Sequence, residues 1–263
     1  MFKGKTAIVT GAGSGIGRAL AIALAKENCN LVLIDKAEED LDLTADMITD
    51  RSIKVSKHIA DLSDEKQVCN LQKKVLSIHG KTELLFNVAG VAAGGNFEEL
   101  ETDVFENAMK INFLSMVYMM KAFWGTMKEA PQAHIINMSS VTGKAAFAKN
   151  SAYSASKFAI TGFTNSVAYE LENSSIKFSV VYPGAICTNI SVNSISSGGN
   201  GDPNARHIIA NGMNPHKAAE IILKGVRKGK REIVVGADAK TVLLIQRILP
   251  TKYWSIIKRF VRL

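Results

Sequence analysis

Short apolar segments alternate with segments of helical period along most of this chain. The alternation is the strongest constraint on the fold, because strand–helix–strand units build a parallel sheet with helices on both faces. Right-handed crossovers are expected. The predicted strands are 6–10, 31–35, 53–59, 83–89, 133–140, 177–183 and 231–236. The predicted helices between the first six strands are 15–28, 37–51, 64–79, 101–128 and 151–173. The sequence therefore predicts an α/β fold, doubly wound around a seven-stranded parallel sheet.

One domain is expected to contain this sheet. A length of 263 residues fits either one large α/β domain or two small ones. Hydrophobic residues make up 47% of the chain and charged residues 21%, which excludes a disordered protein. Since no internal repeat or long linker interrupts the pattern, we predict one domain over residues 1–236 and a C-terminal tail over 237–263 that is not a separate domain.

The segment 188–214 is rich in serine, glycine and asparagine and is predicted to be a loop. It follows the carboxyl end of the sixth strand, and ligands of open α/β sheets bind beyond such ends. We therefore expect a lid over a binding site, with a tolerated surface insertion as the alternative.

Cysteine usage and the N-terminus indicate the compartment. Cys29, Cys69 and Cys187 are far apart and form no CxxC pair, so neither a disulfide framework nor a metal site is expected. An apolar strand begins five residues after Met1, which leaves no room for a secretory signal. No uncharged stretch resembles a membrane span. A cytoplasmic protein is the expectation.

The positive charge is concentrated at the end of the chain. The net charge is +8, and residues 224–263 hold 11 basic residues against two acidic ones. Residues 1–223 hold 21 basic and 22 acidic residues, so nucleic-acid binding by the domain is not expected. An acidic surface that meets the C-terminus is plausible.

A glycine-rich turn joins the first strand to the first helix. It reads T-G-x-x-x-G-x-G rather than G-x-G-x-x-G, because Ile16 stands three residues after Gly13. Glycines allow a tight turn and close approach to a pyrophosphate, whose charge meets the positive end of the helix. The candidate dinucleotide-binding residues are Thr10, Gly11, Ser14, Gly15, Ile16 and Gly17.

Carboxylates after the second and third strands suit the adenosine half of a dinucleotide. Asp35 can accept hydrogen bonds from both ribose hydroxyls and would repel a 2′-phosphate, so NAD(H) is favoured. Lys36 could accommodate a phosphate, which leaves NADP(H) open. Asp61 and Leu62 are candidates for contact with the adenine, although a plain helix N-cap explains Asp61 equally well.

Tyr153 and Lys157 lie four residues apart and share one helix face. An ammonium about 5 Å from a phenol, at an effective dielectric of about 20, favours the phenolate by about 3 kcal/mol, or about two pKa units. Such a tyrosine can exchange a proton with an alcohol or carbonyl. In most proteins the same spacing is only a solvated helix face, so the pair needs its context.

The context resembles the short-chain dehydrogenase/reductase family over about residues 5–235. The matching motifs, in chain order, are the turn at 10–17, Asp61, Asn87-Val88-Ala89-Gly90, Asn112, Ser140, Tyr153-x-x-x-Lys157, Pro183-Gly184 and Thr188. This resemblance implies a single Rossmann-like domain. One departure is Val88, where the family commonly has a second asparagine, and we expect altered packing under the cofactor there.

The resemblance also implies roles for single residues. Tyr153 is the expected acid/base, Lys157 lowers its pKa and holds the nicotinamide ribose, and Ser140 binds the substrate oxygen, with Ser139 as the less favoured choice. Asn112 supports a water-linked proton path. Further cofactor-binding residues implied by the family are Asn87, Ala89, Gly90, Tyr153, Lys157, Pro183, Gly184, Ile186 and Thr188. Among these, the resemblance implies that the Thr188 hydroxyl binds the nicotinamide carboxamide and that the turn at Pro183-Gly184 lets the nicotinamide ring lie close.

The tail predicts an amphipathic helix after Pro250. Polar side chains at 252, 255, 258, 259 and 262 fall on one arc, and apolar side chains fall on the other. A peripheral membrane contact through 241–263 is one interpretation. Packing of the apolar face on the domain or on a partner subunit is the other. The tail resembles those of family members that act on steroids, retinoids or lipid ketones.

The expected function is hydride transfer between a nicotinamide cofactor and a secondary alcohol or ketone. A lipophilic substrate is favoured by the tail and by Phe147, Ile186 and Met213. A 3-oxoacyl-thioester reductase and a non-catalytic dinucleotide-binding sensor are the alternatives. Family resemblance also implies a homodimer or homotetramer, paired through helices with apolar positions at Ala152, Ala159, Phe163 and Val167.

Overall fold

A seven-stranded parallel sheet lies at the centre of the computed structural model, which describes residues 1–50, 52–191, 194–195 and 203–260. The strands are β1 (Thr6–Thr10), β2 (Asn30–Asp35), β3 (Val55–Ile59), β4 (Leu84–Asn87), β5 (Ala133–Met138), β6 (Ile176–Pro183) and β7 (Glu232–Val235). Their order in the sheet is β3-β2-β1-β4-β5-β6-β7, and every neighbouring pair is parallel. The predicted α/β fold is confirmed, with strand ends that differ by up to two residues.

Helices cover both faces of the sheet. They are α1 (Gly15–Lys26), α2 (Glu38–Asp46), α3 (Glu65–His79), α4 (Thr102–Met109), α5 (Ser115–Glu129), α6 (Ser151–Glu170), α7 (Pro203–Ala210), α8 (Pro215–Arg227), α9 (Ala237–Ile248) and α10 (Tyr253–Phe260). Successive strand residues face opposite layers: Val9 belongs to the core with α1 and α8, and Ile8 to the core with α3, α5 and α6. All of β1 is buried, as a sheet covered on both faces requires.

Three helical predictions need correction. The predicted helix 101–128 is interrupted by a π-helical turn at Lys110–Leu114, between α4 and α5. Helix α8 was not predicted, although its buried side chains recur at helical spacing and Asn214 caps it by accepting from the His216 N–H at 2.8 Å. The predicted loop 188–214 contains α7, while 192–193 and 196–202 lie outside the described residues.

The tail also forms helices, α9 and α10, which contact each other. Within the described residues, no helix is long and apolar enough to cross a membrane. Cys29, Cys69 and Cys187 are free thiols. The described part of the chain holds no cluster of three metal-ligating side chains.

Candidate active site

A cavity of about 1210 Å³ lies at the carboxyl edge of the sheet. The turns that follow the parallel strands meet here, which is where open α/β sheets bind ligands. Of the predicted cofactor residues, all line the cavity except Thr10 and Asn87. Ser140, Tyr153 and Lys157 line it as well, whereas Asn112 does not.

The glycine turn forms one wall. Gly11 and Gly15 have φ values of +64° and +51°, a region that favours glycine. A Cβ on Gly17 would overlap the carbonyl oxygen of Gly11, so the turn could not close with a larger residue. Thr10 points away from the cavity: its Oγ1 accepts the N–H groups of Val88 at 2.9 Å and Ala89 at 3.0 Å. Thr10 therefore holds in place the segment that follows β4, the strand beside β1 in the sheet.

The Asp35 carboxylate is fixed at the cavity wall by three backbone N–H groups. Its Oδ2 accepts from Gly13 at 2.8 Å, and its Oδ1 accepts from Lys36 at 2.8 Å and Ala37 at 3.2 Å. A carboxylate held by several donors keeps one orientation. The structure thus presents a rigid acceptor where the sequence predicts the adenosine ribose.

Asp61 lines the cavity but does not cap a helix. Its Oδ1 accepts from the backbone and hydroxyl of Ser63 at 2.9 and 2.7 Å, and the N-cap of α3 is Asp64. Leu62 is 7% exposed and lines the same wall. The helix-cap alternative for Asp61 is therefore wrong.

At the end of β4 and just after it, Asn87 forms a buried hydrogen bond and Gly90 lies close to two side chains from other helices. Asn87 lies below the cavity, where its Nδ2 donates to Asn137 Oδ1 at 2.8 Å. Val88, the departure from the family pattern, lines the cavity and packs on the core beside α1. A Cβ on Gly90 would lie 2.9 Å from Asn112 Oδ1 and 3.4 Å from Lys157 Nζ, so Gly90 admits both side chains.

Asn112 lies in the π-helical turn and is 2% exposed. Its Oδ1 accepts from the Val91 N–H at 2.8 Å, and its Nδ2 donates to the Val91 carbonyl at 3.1 Å and to Ser156 Oγ at 2.9 Å. These bonds tie the segment after β4 to α6. The geometry shown is that of a buried asparagine bonded to the backbone, and its part in a proton path stays a prediction.

Ser140 and Ser139 have different surroundings at the end of β5. Ser139 Oγ donates to the Lys157 carbonyl at 2.9 Å and also contacts Thr161 Oγ1, so its hydroxyl is engaged with α6. Ser140 lines the cavity, and its Oγ accepts the Thr142 N–H at 3.2 Å. Burial raises the pKa of Tyr153, and the interaction with Ser140 partly offsets this rise. The geometry therefore favours Ser140 as the residue beside the reacting oxygen.

Burial dominates the electrostatics of the Tyr153–Lys157 pair. Lys157 is 3% exposed, its Nζ donates to the Met138 carbonyl at 3.1 Å, and it lies 5.4 Å from the centroid of the Tyr153 ring. Desolvation raises the pKa of Tyr153 to about 12 and lowers the pKa of Lys157 to about 8. The net pKa of Tyr153 is raised because a low-dielectric site penalises the charged form. The lowering of this pKa by Lys157 stays a prediction.

The segment after β6 forms a further wall of the cavity, lined by Gly184, Ala185, Ile186 and Thr188. The Gly184 N–H donates to the Val235 carbonyl at 2.9 Å, and the Cys187 N–H donates to the Met213 carbonyl at 2.9 Å. A Cβ on Gly15 would lie 2.9 Å from Thr188 Cγ2, so Gly15 lets Thr188 approach the turn. Thr188 therefore lines the cavity close to the glycine turn.

The tail contributes a wall that the sequence did not predict. Asp238 and Val242 of α9 and Trp254, Ile257 and Lys258 of α10 line the cavity. Ile257 is 6% exposed, which supports packing of part of the apolar face on the domain. Helical period alone does not tell which body a helix packs on. Of the predicted apolar neighbours, Phe147 and Ile186 line the cavity and Met213 does not.

Comparison with known proteins identifies the family. A family model described as short chain dehydrogenase matches residues 5–197. The chain belongs to the short-chain dehydrogenase/reductase family. A Mycobacterium tuberculosis protein named SadH is 32% identical over 261 residues, which cover 97% of this chain and 95% of SadH. Dehydrogenase/reductase SDR family member 7B of Xenopus laevis is 32% identical over 256 residues, covering 95% of this chain and 79% of that protein.

Solved structures of the family share the fold. A short-chain dehydrogenase/reductase from Burkholderia phymatum, in complex with NAD, has a TM-score of 0.86 and 27% identity, and the match covers 94% of each chain. A metagenomic short-chain oxidoreductase, in complex with NADP, has a TM-score of 0.72 and 27% identity, covering 89% of this chain and 97% of that one. The sequence resemblance is therefore confirmed, and the protein is an oxidoreductase of this family.

The lowered pKa of Lys157 generates a pH prediction. Its ammonium persists below about pH 8 and is lost above it, while Tyr153, with a pKa of about 12, stays protonated in this range. Where catalysis needs the ammonium, kcat/KM of the oxidoreductase falls as the pH rises through about 8. In Lys157→Arg, whose guanidinium stays charged, the residual activity shows no such fall. A wild-type profile that is flat up to about pH 10 contradicts a role for the Lys157 charge.

Proposed function

We propose that this protein transfers hydride between NAD(H) and the carbon of a secondary alcohol or ketone. The observation that carries the proposal is the convergence of Ser140, Tyr153 and Lys157 in the cavity that also holds the glycine turn and Asp35. Carbonyl reduction needs a proton donor and a bound nicotinamide cofactor that supplies the hydride, and this cavity has residues suited to both.

The described residues fit a nicotinamide dinucleotide. The glycine positions of the turn have no room for a Cβ, the N-terminus of α1 suits a pyrophosphate, and Asp35 offers a fixed acceptor. When bound, the cofactor supplies the hydride. The residues of the chain then supply the rest: Ser140 binds the carbonyl oxygen, Tyr153 delivers its hydroxyl proton to that oxygen, and Lys157 provides positive charge as the phenolate forms.

The acid/base role gives the first functional prediction. Tyr153→Phe removes the proton donor but keeps the ring, so the rate of NADH oxidation with ketones should fall about 10²- to 10⁴-fold while NADH binding is retained. Tyr169→Phe, an exposed tyrosine on the same helix, is the matched control and should keep the wild-type rate. The measurement is the initial rate against ketones graded in hydrophobicity. Equal rates for Tyr153→Phe and wild type would refute the role.

The preference for NAD(H) rests on Asp35. A carboxylate fixed by three N–H groups cannot turn away from a 2′-phosphate, and the repulsion disfavours NADP(H).

Asp35→Ser should therefore raise the Kd for NADH about tenfold and reduce the preference for NADH over NADPH, because it removes both the acceptor and the repulsion. Fluorescence titration with the two reduced cofactors measures the ratio. Asp46→Ser, a change of an exposed acid on α2 that does not line the cavity, should leave the ratio unchanged. Tighter binding of NADPH than NADH by the wild type would contradict the assignment.

A lipophilic substrate is proposed from the outer part of the cavity. Apolar side chains from three helices, α7, α9 and α10, and from the loop after β5 line it: Phe147, Ile208, Ile209, Val242, Trp254 and Ile257. Apolar lining of this extent suits a substrate with a hydrophobic body.

We also propose that α7, whose Ile208 and Ile209 line the cavity, closes over it as a lid. Protease sensitivity of that segment that NADH does not change would count against the lid.

We propose that the same tail contacts an anionic membrane surface. The side chains of Leu244, Ile248, Leu249 and Trp254, here called the tail patch, are 39–65% exposed. Residues 240–263 include six basic residues and no acidic one. Exposed apolar side chains next to basic ones are typical of helices that lie at a membrane–water interface. Because Trp254 also lines the cavity, a lipid could pass from the bilayer into the site.

Leu244→Gln/Ile248→Gln should weaken co-sedimentation with phosphatidylcholine–phosphatidylserine vesicles at least tenfold, because about 2 kcal/mol or more of apolar transfer is lost. The matched control is Leu43→Gln/Met47→Gln, which changes another exposed apolar pair at the same spacing, each 52% exposed. Truncation is avoided, since α10 lines the cavity. Vesicle binding by the wild type that is unaffected by the tail variant, or no binding at all, would overturn the membrane proposal.

A homo-oligomer is proposed through α6. Of the positions first chosen on this helix, Ala152 is buried, whereas Ala159, Phe163 and Val167 are only partly buried. The most exposed large apolar side chains of α6 are Phe158 and Tyr169, which are 44% and 67% exposed. Sedimentation velocity that shows only a monomer would refute the proposal.

A further inference from the structure

The carboxylate of Asp238 lies against a segment that is far from it in sequence. Asp238 is the second residue of α9, and its Oδ2 accepts the Ala185 N–H at 2.7 Å. Ala185 begins the stretch that leads to Thr188 at the cavity wall. The bond therefore joins the C-terminal helix to a segment whose Ile186 and Thr188 line the cavity and which the family resemblance assigns to the nicotinamide half of the cofactor.

Two glycines make room for this carboxylate. A Cβ on Gly184 would overlap both carboxylate oxygens of Asp238, and a Cβ on Gly236 would overlap Oδ1. Gly236 also has a φ of +108°, which side chains rarely adopt. The glycine after Pro183 was expected to let a nicotinamide ring lie close. The structure gives it a second function, because Gly184 admits Asp238.

The stretch held by Asp238 is otherwise supported by backbone bonds. Met213 donates to the Ala185 carbonyl at 2.9 Å and accepts from Cys187 at 2.9 Å, and Gly184 donates to Val235. Asp238 adds a charged acceptor to this frame, and hydrogen bonds to charged groups are the stronger ones. Loss of that acceptor would leave the Ala185 N–H without its partner and release the start of the stretch.

We infer that Asp238 is a positioning residue that holds residues 185–188 in the conformation that binds the nicotinamide half of the cofactor. The inference rests on the proposed function. A simpler account is that an acid in the first turn of α9 stabilises the helix dipole. The two accounts differ, because a helix-stabilising acid has no reason to affect one half of a dinucleotide more than the other.

The experiment compares NADH with ADP-ribose, which has the adenosine and pyrophosphate but lacks the nicotinamide. Asp238→Ala should raise the Kd for NADH about 5- to 20-fold and leave the Kd for ADP-ribose within about twofold of the wild type. Asp238→Asn keeps an oxygen that can accept the Ala185 N–H, so it should recover most of the NADH affinity. Isothermal titration measures both ligands on the full chain.

Asp103→Ala is the matched control, since Asp103 is also the second residue of a helix, α4, and should change neither affinity. Equal weakening of both ligands by Asp238→Ala would show an effect on the fold alone and overturn the inference, as would unchanged binding of both. Failure of the wild type to bind either ligand would overturn the proposed function itself. These outcomes are distinct, because only the last concerns the unaltered protein.

Discussion

A parallel sheet brings the carboxyl ends of all its strands to one edge, and the site of this protein depends on that constraint. The glycine turn, Asp35 and Ser140 are distant in sequence, yet each follows or ends a strand and meets the others at the cavity. The burial of β1 on both faces constrains its register with β2 and β4, between which it lies. Any slip of one strand would move its functional residue away from the edge.

The same enclosure sets the chemistry of the pair on α6. A water-poor site raises the pKa of Tyr153 and lowers that of Lys157, so both groups favour their neutral forms more than in water. Two contacts oppose this effect: Ser140 favours the phenolate, and the Met138 carbonyl accepts from the ammonium at 3.1 Å. An acid/base residue in such a site works through these few oriented partners, because solvent contributes little.

The sequence predicted what is local and missed what is long-range. The turn at 10–17 and the pair Tyr153 and Lys157 follow from short spacings, and the structure places both at the cavity. Thr10 belongs to the same turn and Asn87 to the motif at 87–90, but their side chains point into the protein. Alternation alone did not show which strand-end groups face inward. Asp238 was missed because nothing in its own segment indicates Ala185, which lies 53 residues earlier.

The tail shows why sequence pattern left two interpretations open. Its amphipathic period describes one apolar arc, but the structure divides that arc: Ile257 is 6% exposed and lines the cavity, whereas Trp254 is 39% exposed and both lines the cavity and reaches the surface. Helix α10 can therefore pack on the domain through one side chain and still offer another to a partner surface. Helix α9 begins at the Ala185 contact and ends in the exposed Leu244 and Ile248. A surface that binds these side chains would act on the same helix that supports the cofactor wall, so membrane contact and cofactor binding would be thermodynamically linked.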